Sequence, residues 1–189
     1  MQDSKNSVAL VANIPAPYRE KVYEHLSEML DGHLIVFYCK ETEKNREWKF
    51  DLGKYEKRFL NSNTINVGEN GIHVNFSIFN ELWKLKPNVV ITTSFTVPML
   101  LAFLYCRLTN AKHICFTDGT LKSEENLTWL HRMIRKMVFR FSSAFVGASM
   151  KSKMLFKNYG VDESAIFISR LAIDNKKYQL ERKEYSFRK

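Results

Sequence analysis

Asp118 follows the apolar run His113-Ile-Cys-Phe116 and Thr117, and it precedes Gly119, a turn-forming pair at the end of what reads as a buried strand. A carboxylate delivered by a strand end to the crevice of a parallel sheet can orient a ligand hydroxyl; the plainer reading is the first residue of a turn that caps the next helix. Ser94-Phe95, after a strand over Val89 to Thr92, points to the same rim. A third candidate is the loop Asn13-Ile-Pro-Ala-Pro-Tyr-Arg19, between a first strand and a first helix, where such folds bind phosphates or sugars. Asn13 and Arg19 are its polar candidates, and a stiff structural turn is the alternative. The loop has no glycine to let backbone approach a pyrophosphate, and its two prolines remove donors, which argues against nicotinamide or flavin binding.

Other chemistries find little support. Histidines 25, 33, 73, 113 and 131 show no metal spacing, no acid-histidine-nucleophile set can be assembled, and no metal or other cofactor is expected. Cys39, Cys106 and Cys115 are odd in number and embedded in apolar runs, which reads as reduced core thiols. Glu20 and Glu28 invite comparison with paired catalytic glutamates, but amphipathicity places both on the solvent-rich side of the first helix.

The elements that must position the candidates alternate. Val8 to Ala12 is a strand, Tyr18, Val22, Leu26, Met29 and Leu30 mark a helix closed by Asp31-Gly32, and Leu34 to Cys39 is a second strand. From Lys40 to Asn63, a segment with Trp48, Phe50, Tyr55 and Phe59, charge and aromatics mix without a period, which reads as an excursion over the sheet edge. Further strands are expected over Thr64 to Val67, Val89 to Thr92, His113 to Phe116, Ala144 to Gly147 and Ala165 to Ile168. Helices are expected over Asn75 to Leu85, Pro98 to Leu108, Leu127 to Phe141 and Met150 to Tyr159, the last with Ser149 as N-cap. This alternation predicts an α/β fold with a doubly wound, mostly parallel, Rossmann-like sheet. One such domain over residues 1–174 suits a chain of 189 residues, with 175–189 as a charged tail or interdomain linker.

A formal charge of +9, from 29 basic against 20 acidic residues, favours an anionic partner. The cationic residues form neither an aromatic RNA-binding sheet motif nor a recognition helix, which argues against nucleic acid. On the helix from Leu127, the residues Leu127, Leu130, Ile134, Met137, Val138 and Phe141 gather on one side. Arg132, Arg135, Lys136 and Arg140 gather on the other, with Trp129, Met133 and Phe139 among them. That second face is a solvated charged surface, a protein-docking surface, or an interface with anionic lipid into which the three apolar residues insert. No run is long enough for a signal peptide or a span; the longest, Val97 to Cys106, is roughly 10 residues. A cytoplasmic location, peripheral on the inner face of the membrane, is the expectation.

Taken together, Val8-Ala-Leu-Val-Ala-Asn-Ile-Pro-Ala-Pro-Tyr-Arg19, Pro87-Asn-Val-Val-Ile-Thr-Thr-Ser-Phe95, Phe116-Thr-Asp-Gly119, Ser149 before Lys151, Tyr159-Gly-Val161 and Asp174 to Tyr178 resemble the amino-terminal half of GT-B glycosyltransferases of the family-4 type. The resemblance runs from Ser7 to about Tyr178. It implies a half that binds a sugar or lipid-linked acceptor, through Asn13, Pro15, Tyr18, Arg19, Ser94, Thr117 and Gly119, with Asp118 as the catalytic carboxylate that orients the acceptor hydroxyl. It also implies retention of anomeric configuration, a role in envelope or surface polysaccharide synthesis, and a nucleotide-sugar donor held by a second domain. The glycine-rich first loop of many members is here Ile14-Pro15-Ala16, and nothing after Tyr178 resembles a donor-binding domain. The expectation is therefore a truncated gene product, a cloned domain or a subunit of a split transferase. A non-catalytic, membrane-associated or partner-binding Rossmann-like domain is the alternative.

Overall fold

Seven strands of the chain lie parallel in one sheet, in the spatial order β3-β2-β1-β6-β7-β8-β9. They were traced in a computed structural model that describes residues 7–41, 53–60, 63–65 and 72–171. In chain order the elements are β1 (Val8–Ala12), α1 (Pro17–Met29), β2 (Leu34–Tyr38), β3 (Glu56–Phe59), β4 (Asn63–Ile65), β5 (Ile72–Val74), α2 (Ser77–Leu85), β6 (Val89–Thr92) and α3 (Val97–Leu108). There follow β7 (Lys112–Thr117), α4 (Leu121–Glu124), α5 (Trp129–Phe141), β8 (Ala144–Gly147), α6 (Met150–Asn158) and β9 (Ile166–Ile168). Trp48, Phe50 and the segment 172–189, with the expected tail, lie outside the described residues.

The central strands β1 and β2 are buried on both faces, as their unbroken apolar sequences require of parallel strands covered by helices. Tyr23 on α1 packs with Leu10, Val36 and Tyr38, while Ile78 and Leu82 of α2 and Met99 and Ala102 of α3 pack with Ala9, Val11 and Phe37. A third cluster, Phe103, Cys115, Val138, Phe139, Phe145 and Phe156, joins α3, α5 and α6 to β7 and β8. All three cysteines are free and buried, and burial pushes each thiol up to about 12, so none is a ready nucleophile.

Several expectations are corrected. Glu56–Phe59 is a strand where an excursion was expected; it carries Glu-Lys-Arg because it is an edge, and charge on an edge discourages pairing with another chain. The strand expected near Thr64 pairs antiparallel with Ile72–Val74 in a separate two-stranded ribbon. On α1 the buried residues are Glu20, Tyr23 and Ser27, while Met29 is exposed. Phe76, at the N-cap of α2, and Trp83 are exposed, and the core contacts come from Ile78 and Leu82, with Phe79 and Leu85 packed against them. At the end of α1, Asp31 and Gly32 both take positive φ (51° and 79°), and Gly32 N donates to Ser27 O at 2.8 Å, which closes the helix.

Candidate functional site

The strand order reverses between β1 and β6: from β1 the chain first builds outward to β2 and β3, then crosses back to β6 and proceeds to β9. Loops leaving adjacent strands there part to opposite faces, which opens a crevice at the carboxyl ends. Asn13 leaves β1, Ser94 and Thr96 leave β6, and Asp118 leaves β7, all at this pole because the strands are parallel. Thr96 Oγ1 donates to Asn13 Oδ1 at 3.4 Å across the switch point, and Thr93 Oγ1 donates to Val11 O at 3.2 Å, so the two loops are tied together. Helices α1, α3 and α6 all begin at this rim and turn their positive ends toward it.

Asp118 is exposed and accepts no hydrogen bond from a described residue, so its carboxylate is free for a ligand. It does not cap α4; that cap is Thr120, whose Oγ1 accepts from Ser123 N while Ser123 Oγ accepts from Thr120 N. Thr117 is buried and its Oγ1 accepts from Gly119 N at 3.1 Å, so its hydroxyl shapes the turn. A Cβ at Gly119 would stand 3.2 Å from Thr117 Oγ1 and 3.3 Å from Leu155 Cδ2, so both side chains would have to give way by a small shift to admit one. Pro15, within the first loop, is buried. Tyr18 and Arg19 are half-buried; the Arg19 guanidinium lies 4.1 Å from the centre of the Phe116 ring, bridging α1 to the end of β7 without an ion pair to any described carboxylate. Ser94 is half-buried, with its hydroxyl directed at Met99 Sδ, 2.8 Å away.

Two carboxylates that the sequence hid stand close to this rim. Glu20 is buried, contrary to its expected solvent position, whereas Glu28 is exposed beside His25. Glu20 Oε2 accepts from Tyr55 OH and from Gly53 N, each at 2.7 Å; Tyr38 OH stands 2.7 Å from Tyr55 OH, to which it donates, and 3.3 Å from Glu20 Oε1. Burial and this negative neighbour raise both tyrosine hydroxyls well above their ordinary range, so they act as donors. The signal available was spacing: Glu20, Tyr23 and Ser27 share one helical row. The second carboxylate, Glu124 on α4, accepts from Tyr159 OH at 2.9 Å and has Arg135 Nε 2.9 Å away. Arg135 also lies 4.4 Å over the Phe95 ring, so it locks α4 and α5 to the loop after β6. Nothing in the sequence pairs these residues, which are brought together by three different elements.

On α5, Trp129, Arg132, Met133, Lys136 and Arg140 are exposed as expected, but Arg135 and Phe139 are not. Phe139 fills the third cluster, with ring centroids 5.1 Å from those of both Phe156 and Tyr159. Leu130, Met137 and Phe141, expected on the inner side, are exposed, so Trp129, Leu130, Met133, Met137 and Phe141 form an outward apolar stripe. Arg132, Lys136 and Arg140 border it. Among the described residues no helix is long and apolar enough to cross a membrane, and no cluster of three potential ligands could hold a metal.

Neither a protein-family profile nor a curated protein sequence matches this chain. Solved structures do. HepE (Alr3699) of Anabaena, in complex with UDP and glucose, superposes with a TM-score of 0.61 at 9% identity, over 89% of this chain and 45% of that one. UDP-GlcNAc 2-epimerase of Neisseria meningitidis, bound to UDP-GlcNAc, gives 0.51 at 14% over 85% and 45%, and that of Methanocaldococcus jannaschii gives 0.50 at 15% over 86% and 45%. The chain thus spans about half the length of the structures it resembles. Its all-parallel, doubly wound sheet is a Rossmann-like fold, one half of a GT-B architecture.

Proposed function

We propose that this chain is the acceptor-binding half of a nucleotide-sugar-dependent glycosyltransferase, acting on a sugar or lipid-linked acceptor in envelope or surface polysaccharide synthesis, on the cytoplasmic face of an anionic membrane. The observation that carries this reading is the free Asp118 carboxylate at the rim that also bears Asn13, Ser94 and Arg19, beside the switch point of a parallel sheet. Likeness to HepE, a protein solved with UDP-glucose, supports a sugar-nucleotide context. In this reading Asp118 accepts a hydrogen bond from the acceptor hydroxyl and aims its oxygen at the anomeric carbon of a donor held by a second domain. The new C–O bond forms as the bond to the leaving diphosphate breaks, and the hydroxyl proton passes to that phosphate. The site is thus a positioning surface. The outward stripe of α5, bordered by Arg132, Lys136 and Arg140, holds the rim at a lipid surface where such acceptors reside.

The test is an NMR titration of the chain with octyl glucoside, a surrogate carrying both a sugar and an alkyl tail. Amide shifts at Asn13, Ser94, Asp118 and Gly119 are expected, with at least about tenfold weaker binding in Asp118→Asn. In an enzyme reconstituted with its donor half, the same substitution lowers kcat by about tenfold or more while Tm stays within about 2 °C. Absence of rim shifts, or wild-type turnover in the variant, overturns the assignment. The exposed α5 stripe favours a second reading, a non-catalytic membrane-docking subunit, which predicts vesicle binding with no rim response to sugar.

A further inference from the structure

The pole opposite the rim holds a second concave surface. Here α2 ends at Leu85, Lys86 takes a left-handed φ of 53°, and Pro87-Asn88 leads into β6; beside it the turn Thr109 to Ala111 leads from α3 into β7. Two clefts, of ≈ 380 and ≈ 480 Å³, lie on either side of this turn and both touch Thr109, Asn110 and Ala111. Each is within the range of about 300–1,000 Å³ typical of small-ligand sites.

The first cleft has an aromatic wall. Trp83 is 50% exposed, a large apolar surface to leave in water, yet its ring is fixed: it stacks on Phe79 (centroids 5.7 Å, planes at 23°) and meets Tyr105 edge-on at 5.9 Å. Asn88 Oδ1 accepts from Ser7 N at 3.1 Å, which fixes the amide and leaves its nitrogen to donate elsewhere. The side chains of Asn110 and Lys86 have no partner among the described residues. In the second cleft Lys112 stands at the start of β7, and the Arg107 guanidinium lies 4.5 Å over the Phe141 ring. No aspartate or glutamate lines either cleft. A rigid ring suits the C–H face of a pyranose, free amides suit its hydroxyl edge, and cations without carboxylate partners suit anionic substituents.

We propose that these two neighbouring clefts together bind an acidic oligosaccharide, with one pyranose on Trp83 and an anionic group toward Lys86, and the chain continuing over Asn110 to Lys112 and Arg107. The clefts lie at the pole remote from Asp118, so their occupancy is independent of the transfer chemistry proposed for the rim. The test is a titration of the chain with oligogalacturonate and with a hyaluronan fragment, read by tryptophan fluorescence and by amide shifts, with maltohexaose and oligo-dT as controls. At least one acidic glycan is expected to bind saturably, at least about tenfold tighter than either control, with shifts at Asn88, Asn110 and Lys112 and none at Asp118. Trp83→Ala is expected to weaken binding at least about tenfold. Because Trp83 also packs on Phe79 and Tyr105, Lys86→Glu, at an exposed position, provides a second variant with the same expected direction. Absence of binding by both acidic glycans, equal binding by maltohexaose or oligo-dT, or undiminished affinity in a folded Lys86→Glu variant overturns the proposal.

Discussion

Glu20 holds a carboxylate in the interior with donors from Gly53 and Tyr55 on it, the second of these backed by the Tyr38 hydroxyl. A buried charge of this kind is tolerable only when its lone pairs are occupied, and removing the acceptor strands the donors in a place water does not reach. Glu20→Ala is therefore expected to cost about 3 kcal/mol or more in urea unfolding, and Glu20→Gln less, since the amide oxygen still accepts one bond while the hydroxyls can reorient. Equal stability of wild type and Glu20→Ala would show that the network adds nothing. The sequence misled here because polarity was read as exposure, whereas the groups that hydrogen-bond around Glu20 come from 18 and more positions away. Asp118 was legible for the opposite reason: its place follows from local signals alone, an apolar run and then Asp-Gly.

Helix α5 carries more apolar residues than its buried face can take, so sequence periodicity alone could not choose its rotation. Tertiary contacts choose it: the aromatic cluster accepts Phe139, and Glu124 draws Arg135 inward. The four cations therefore divide: Arg135 holds the fold, Arg132 borders the stripe while donating to Glu124 O and Glu125 O at the end of α4, and Lys136 and Arg140 only border the stripe. Arg135→Ala is expected to destabilise by about 2–3 kcal/mol, because it leaves the largely buried Glu124 carboxylate without its cation. Lys136→Glu with Arg140→Glu is expected to leave Tm within about 2 °C of wild type and to abolish cosedimentation with phosphatidylserine-containing vesicles. Cosedimentation unaffected by that pair would remove the membrane role from α5. Strand β3 was missed on similar grounds, since an edge strand of charged residues has no apolar period to read.

At the scale of the molecule, the order of elements was readable because apolar strand runs and amphipathic helices alternate, and right-handed crossovers leave few ways to connect them. Between β2 and β6 the strand near Thr64 and the helix α2 were readable, whereas β3 and β5 were not, since the first is charged and the second only three residues long. Alternation also could not reveal that three elements share one buried polar chain. Thr92 on β6 lies 3.0 Å from His113 Nε2 on β7, His113 Nδ1 lies 2.7 Å from Ser142 Oγ, and that hydroxyl donates to Val138 O at the end of α5. Since the Ser142 proton is spent on Val138, the consistent arrangement puts a proton on Nδ1 and lets Nε2 accept from Thr92. The neutral ring satisfies every bond; a second proton would reverse the one to Thr92, whose hydroxyl would then accept, and would leave an uncompensated positive charge in the interior. Burial accordingly lowers His113 to about 4. The unfolded chain, with an ordinary histidine near about 6.5, then binds more protons than the folded one throughout the interval between, so stability falls as pH drops through it. The loss between pH 7 and pH 5 is about 2 kcal/mol from this residue alone. Urea unfolding at the two pH values is expected to show that difference in wild type and to lose most of it in His113→Gln, which keeps a polar side chain but cannot titrate. An equal pH dependence in both proteins would place the acid sensitivity elsewhere in the fold.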